Sequence, residues 1–156
     1  MAVNLLPYQR QGLGWMISSE NPKLPETEDE PSTQFWKYSL ANGGSYVNEA
    51  TKFATKTAPD LFRGGILADD MGLGKTIQCL SLIQYDRESL QNIEEKPTLI
   101  VCPLAVLMNW SSQIEMHFRP EFRPSYLVLH GTKVNELVKE IKNHEIIITT
   151  YGNISF

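Results

Sequence analysis

Gly65-Ile66-Leu67-Ala68-Asp69-Asp70-Met71-Gly72-Leu73-Gly74-Lys75-Thr76 is the stretch on which the reading of this chain turns. The apolar run Gly65 to Ala68 predicts a short buried strand. A glycine-rich turn follows. Beyond it Ile77, Leu80, Leu82 and Ile83 form an apolar stripe on a helix predicted over residues 75–90. Strand, glycine-rich turn, helix is the context in which a backbone cradles phosphate. Gly72 and Gly74 let the main chain approach phosphate oxygens and turn its N–H groups inward. The helix N-terminus adds partial positive charge. Lys75 is placed to bring a full charge to the β- and γ-phosphates, and the Thr76 hydroxyl to ligate Mg²⁺. The strict pattern has glycine five residues before Gly74, where this chain has Asp69. A glycine-rich turn that merely caps a helix, with Lys75 in solvent, is the competing reading.

Downstream, three more short apolar runs stand out: Leu99 to Cys102, Tyr126 to Leu129, and Ile146 to Ile148. β-branched residues recur in them, as in strands buried on both faces. Helical patterns separate them. Residues 104–118 carry Leu104, Leu107, Met108, Ile114 and Phe118, and residues 133–142 carry Val134, Leu137, Val138 and Ile141. Alternating strand and helix predicts an α/β fold, a parallel sheet with helices on both faces.

Upstream the pattern is less regular. Residues 5–17 predict one amphipathic helix with Pro7 in its first turn, weakened by Gly12 and Gly14. Residues 18–60 hold four prolines, a Gly43-Gly44 turn and the aromatics Phe35, Trp36, Tyr46 and Phe53. They read as an insertion, a loose acidic loop followed by a partly packed aromatic segment. The domain boundaries that follow are 1–18, 19–63 and 64–156.

Composition narrows the class. With 42% hydrophobic and 21% charged residues, the chain is globular, not wholly disordered. No apolar run approaches the roughly 20 residues that span a bilayer. Residues 1–11 lack a secretory pattern. The net charge of -4 argues against a general nucleic-acid binder. Its source is local, because residues 20–31 hold five acids and one base, which leaves 13 of each elsewhere. A local basic groove stays open. Cys79 and Cys102 are read as core thiols in a reducing compartment. His117, His130 and His144 have neither metal spacing nor a partner nucleophile. Lys133, Lys139 and Lys142 read as a solvated helix face.

The run GGILADDMGLGKT resembles motif I of the Swi/Snf-type ATPases, helicase-like DNA translocases of superfamily two. In that family an acidic pair before Met-Gly-Leu-Gly-Lys-Thr is usual, which accounts for Asp69. The resemblance continues in order. LLPYQRQGLGWM resembles the Gln-containing motif, TLIVCPLAVLMNW motif Ia, and EIIITTYGNI the strand and loop beyond it. FWKYSLANGGSYVNEATKF resembles the insertion of the helicase-like transcription factor and RING-bearing DNA-damage-tolerance branch.

The resemblance implies a RecA-like lobe with ATP and Mg²⁺ as cofactors. Gln9 is then the adenine reader, since a side-chain amide pairs with two adenine atoms at once. Asp69, Asp70, Met71, Gly72, Leu73, Gly74, Lys75 and Thr76 form the nucleotide loop. Pro103 and Leu104 lie in a loop that touches the DNA backbone and not its bases; Thr149, Thr150 and Tyr151 lie along the DNA track, or are simply strand-end residues of good β propensity. Ala105 stands where the family often has serine, and Trp110 reads as core packing. Double-stranded DNA and chromatin or repair factors are the implied partners, the nucleus the implied place, with no membrane role. The family's Asp-Glu-x-His box would fall beyond Phe156, and the second lobe beyond that. This chain therefore corresponds to the N-terminal part of the first lobe, with about four strands of a larger sheet. It is expected to bind ATP without hydrolysing it and to be marginally stable. A non-catalytic nucleotide- or partner-binding remnant, or another phosphate-loop enzyme, is the alternative.

Overall fold

A computed structural model describes residues 1–41, 43–89, 97–132 and 134–154. They divide into two compact units, Met1–Leu13 with Asp69 onward, and Gly14–Ala68.

The first unit is built on a parallel sheet of β4 (Thr98–Cys102), β5 (Tyr126–Leu129) and β6 (Ile146–Thr150), in the order β4-β6-β5. β6 is central. Ile146 pairs with Thr98 on one side and Tyr126 on the other, and the register continues to Cys102↔Thr150 and Leu129↔Thr149. All five β6 residues are buried, the pattern of a strand with neighbours on both edges and cover on both faces. The helix α2 (Lys75–Ser89) and the helix α3 (Leu104–His117) supply one cover. Leu80, Ile83, Leu107, Ile114 and Phe118 close on Ile100, Cys102, Ile146 and Ile148. Trp110 packs against this cluster, as expected of a core aromatic. On the other face, Leu99, Ile147 and Leu129 border an apolar groove of about 360 Å³ with Val134, Val138 and Ile141.

Two predicted elements differ. The stretch 65–68 forms no strand and Ile66 is 85% exposed. Among the described residues it has no ladder partner, and an apolar run without one leaves its peptide groups to water. The parallel sheet therefore has three strands among the described residues, not four. The helix predicted over 133–142 is one α-turn, α4 (Val134–Leu137), running into 3-10 geometry over Val138–Asn143. Val134, Val138 and Ile141 of the expected stripe line the groove and Leu137 does not, and β-branched Val134 and Val138 favour the α-helix weakly. Lys133 lies outside the described residues.

The second unit contains a three-stranded antiparallel sheet, β1 (Trp36–Ser39), β2 (Ser45–Asn48) and β3 (Ala54–Thr55). Tyr38 faces Tyr46 across the ladder with rings 5.6 Å apart, and Trp36 meets Phe53 edge-on at 6.4 Å. The aromatic segment is thus a small sheet. The acidic loop is less loose than expected. Glu28 accepts hydrogen bonds from Leu40 N (2.7 Å) and Ser39 Oγ (3.2 Å). Glu30 accepts from Glu26 N and Thr27 Oγ1.

Candidate functional site

The helix α1 (Pro7–Glu20) starts with Pro7, whose fixed φ suits a first turn. Two residues later comes Gln9. Its Oε1 accepts from Leu6 N at 2.9 Å, the reach-back of a capping box. Its Nε2 donates to Leu73 O at 3.2 Å, on the glycine-rich loop. Gln9 is therefore no surface glutamine: it is 8% exposed and spans the helix start and the loop.

The loop itself runs from Asp69 to Gly74. Gly72 and Gly74 have φ of 87° and 80°, the left-handed region that favours glycine. A Cβ at Gly72 would meet nothing within 4 Å, so the backbone there stays open to a ligand. A Cβ at Gly74 would lie 2.5 Å from Gln9 Nε2 and 3.1 Å from Ile77 Cγ2. Glycine at 74 is what lets the Gln9 amide close on the loop.

Lys75 opens α2 and turns back over the loop. Its Nζ donates to Asp69 O at 2.7 Å and Asp70 O at 3.0 Å. Lys75 is thus tied to the loop and is not free in solvent. Thr76 follows in the first turn, half-buried. Met71 is 96% exposed. Glycines with an open cradle, a cation at the loop and a hydroxyl at the helix start fit a phosphate with its Mg²⁺. Among the described residues no group of His, Cys, Asp and Glu is arranged to hold a metal by itself.

Two neighbours escaped the sequence reading. Gln78 is fully buried and its Nε2 donates to Asp69 Oδ2 at 3.1 Å. Gly12, three residues beyond Gln9 on the same face of α1, is the notch for Gln78: a Cβ there would lie 2.0 Å from Gln78 Oε1. A polar residue beside Ile77 in an apolar stripe was the available signal for Gln78. Gly12 registered only as a weak helix former.

The expected DNA-track residues lie where parallel strands end. Cys102 and Thr150 are register partners, so Pro103-Leu104 and Tyr151 leave adjacent strands at one carboxyl edge. Leu104 is 59% and Tyr151 65% exposed. Thr149 and Thr150 are buried, and the Thr149 hydroxyl donates to Leu129 O at 2.9 Å. Asn153 Nδ2 donates to the same carbonyl at 2.8 Å and to Thr149 Oγ1 at 3.2 Å, fixing the turn that carries Tyr151.

Burial raises the pKa of Cys79 and Cys102 above the ordinary thiol value; both thiols are free. At the far end of α2, Arg87 Nε and Nη2 both donate to Glu145 Oε1, while Ser125 N and Oγ donate to Oε2. Burial works to raise the Glu145 pKa, but the Ser125 backbone bond and the Arg87 guanidinium outweigh it and hold the carboxyl below its ordinary value.

A parallel α/β sheet with helical cover and a glycine-rich loop opening a helix is the architecture of a RecA-like lobe. The chain belongs to the SNF2-related domain family, whose model matches residues 8–155. It is 30% identical over 198 residues to the Arabidopsis thaliana SWI/SNF-related matrix-associated actin-dependent regulator of chromatin subfamily A member 3-like 1, covering 97% of this chain and 21% of that protein. It is 32% identical over 186 residues to the DNA repair protein RAD5B of the same plant, covering 97% of this chain and 14% of the relative. Among solved structures, the Sulfolobus solfataricus SWI2/SNF2 ATPase core in complex with double-stranded DNA superposes with a TM-score of 0.61 at 26% identity, covering 98% of this chain and 22% of that one. The chain thus spans about a fifth or less of the length of these relatives.

Proposed function

We propose that this chain is the ATP-binding part of a DNA-dependent ATPase of the Swi/Snf type, one that translocates on double-stranded DNA in chromatin remodelling or DNA repair in the nucleus. The observation that carries this reading is the convergence of Gln9, the Leu73 carbonyl and Lys75 on one glycine loop. Lys75 holds the β- and γ-phosphates, Thr76 the Mg²⁺ that comes with them, and the Gly72–Gly74 backbone lines the cradle. Gln9 reads adenine by exchanging its Leu73 contact for the base. Pro103, Leu104 and Tyr151 touch the DNA backbone from the carboxyl edge, while buried Thr149 and Thr150 hold that edge in place. In this reading residues 1–18 are the Gln-motif helix, 19–63 an insertion and 64–156 part of the lobe.

By itself the chain binds ATP but does not hydrolyse it. Attack by water needs a carboxylate to orient it, and this sequence contains no Asp-Glu-x-His box after the loop. The test is equilibrium binding of a fluorescent ATP analogue with Mg²⁺ to the chain, Lys75→Ala and Gln9→Ala, with phosphate release followed in parallel. Loss of binding in both variants, failure of GTP to compete, and no release with or without DNA are the expected results. Equal competition by GTP would make Gln9 a helix cap only. Lys75-dependent, DNA-stimulated release would overturn the inactivity of the chain alone.

A further inference from the structure

Gln78 lies one turn beyond Lys75 on α2, fully buried. Its Oε1 is buried without a hydrogen-bond partner. An orphaned amide oxygen in a core is costly, and an apolar side chain of the same size would avoid that cost. Packing therefore does not account for glutamine at this position. Its other end does: Nε2 donates to the Asp69 carboxylate.

Asp69 sits at a point of conflict. Its main-chain carbonyl is one of the two acceptors of the Lys75 ammonium, at 2.7 Å. Its carboxylate is attached to the same residue, yet it turns to Gln78 and leaves Lys75 to two neutral carbonyls. The difference matters for a phosphate loop. A neutral carbonyl yields an ammonium readily to an incoming phosphate, because the phosphate brings full negative charge. A carboxylate paired with that ammonium would compete with the phosphate charge for charge. Gly12 completes the arrangement, since the space it leaves free seats the Gln78 amide.

We propose that Gln78 is a positioning residue that holds the Asp69 carboxylate away from the Lys75 ammonium and so keeps that cation available for phosphate. This rests on the phosphate-loop reading above and adds a residue to it. The test measures binding of two probes, inorganic tripolyphosphate with Mg²⁺ and the fluorescent ATP analogue, to the full chain, Gln78→Leu, Asp69→Asn and the double variant. Gln78→Leu is expected to weaken both probes about fivefold, the scale of one exposed ion pair that must be broken. Asp69→Asn alone is expected to tighten both by about twofold through removal of a competing charge. The double variant is expected to bind at least as tightly as the unmodified chain. That rescue separates positioning from a packing role, since a packing defect at Gln78 would not be repaired by Asp69→Asn. Unchanged binding in Gln78→Leu, or a double variant as weak as Gln78→Leu, would overturn the proposal. If Gln78→Leu does not fold, Asp69→Asn decides alone, and weaker binding there overturns it. An unmodified chain that binds neither probe removes the phosphate-loop reading itself, and this proposal with it.

Discussion

Gly74 carries two constraints at once. Its φ of 80° disfavours any side chain, and an added Cβ would press on the Gln9 amide. Gly74→Ala is therefore expected to destabilise the chain by about 1–3 kcal/mol through backbone strain alone and to break the Gln9–Leu73 contact. A thermal melt beside ATP-analogue binding checks both. A fully stable variant with unchanged affinity would show that the loop does not need this geometry. At this scale the sequence was informative about the geometry of the loop, because its glycine spacing and the Lys75-Thr76 pair already marked the left-handed turns at Gly72 and Gly74 and the start of α2. It was silent on what Gln78 and Gly12 do. Their roles depend on α1 reaching α2, a contact between residues 66 positions apart that no local pattern encodes.

Among the elements, the end of α2 is tied to the sheet by one carboxylate. Glu145 receives Arg87 from α2 and Ser125 from the start of β5. Its folded pKa lies below the unfolded one, so its contribution is complete above the unfolded value. It is lost as pH falls through the folded value. The melting temperature is expected to drop as pH goes below about 4.3, and Glu145→Gln to flatten part of that drop. The pair is about one-third exposed, so its loss near neutral pH should cost about 1 kcal/mol or less. An acid limb identical in Glu145→Gln would show that other carboxylates govern it. The elements also show where periodicity stops being a guide. α2, α3 and the three parallel strands carry strong repeats and formed nearly where those repeats put them. Residues 65–68 carry an equally apolar run, but a strand is made by its neighbour's peptide groups, and none pairs with it among the described residues. The insertion was legible only as polarity broken by aromatics. Its sheet is fixed by cross-strand pairs such as Tyr38–Tyr46, which alternate too briefly to read as strands.

For the molecule as a whole, the parallel sheet of the first unit has β4 and β5 on its outer sides, and Leu99 of β4 is 56% exposed beside the apolar groove. Such a sheet buries less apolar surface per residue than one closed by further strands or helices. The chain is expected to melt below about 60 °C, within or under the roughly 45–65 °C range of mesophilic domains. Calorimetry on the monomer checks this, and a sharp cooperative transition above that temperature would contradict it.

The hold of Asp69 O and Asp70 O on Lys75 has a kinetic consequence. In the proposed phosphate-loop reading, two of the three ammonium donors are already engaged, so full engagement of a phosphate comes by exchange with these carbonyls. On that reading the apparent dissociation constant is expected to be the intrinsic one divided by the fraction of molecules whose lysine is released from the carbonyls. Anything that loosens the two carbonyls raises affinity without adding a contact to the ligand. The association rate is then expected to level off at high ligand concentration, at the rate with which the loop lets its own lysine go, and stopped-flow binding of the ATP analogue checks this.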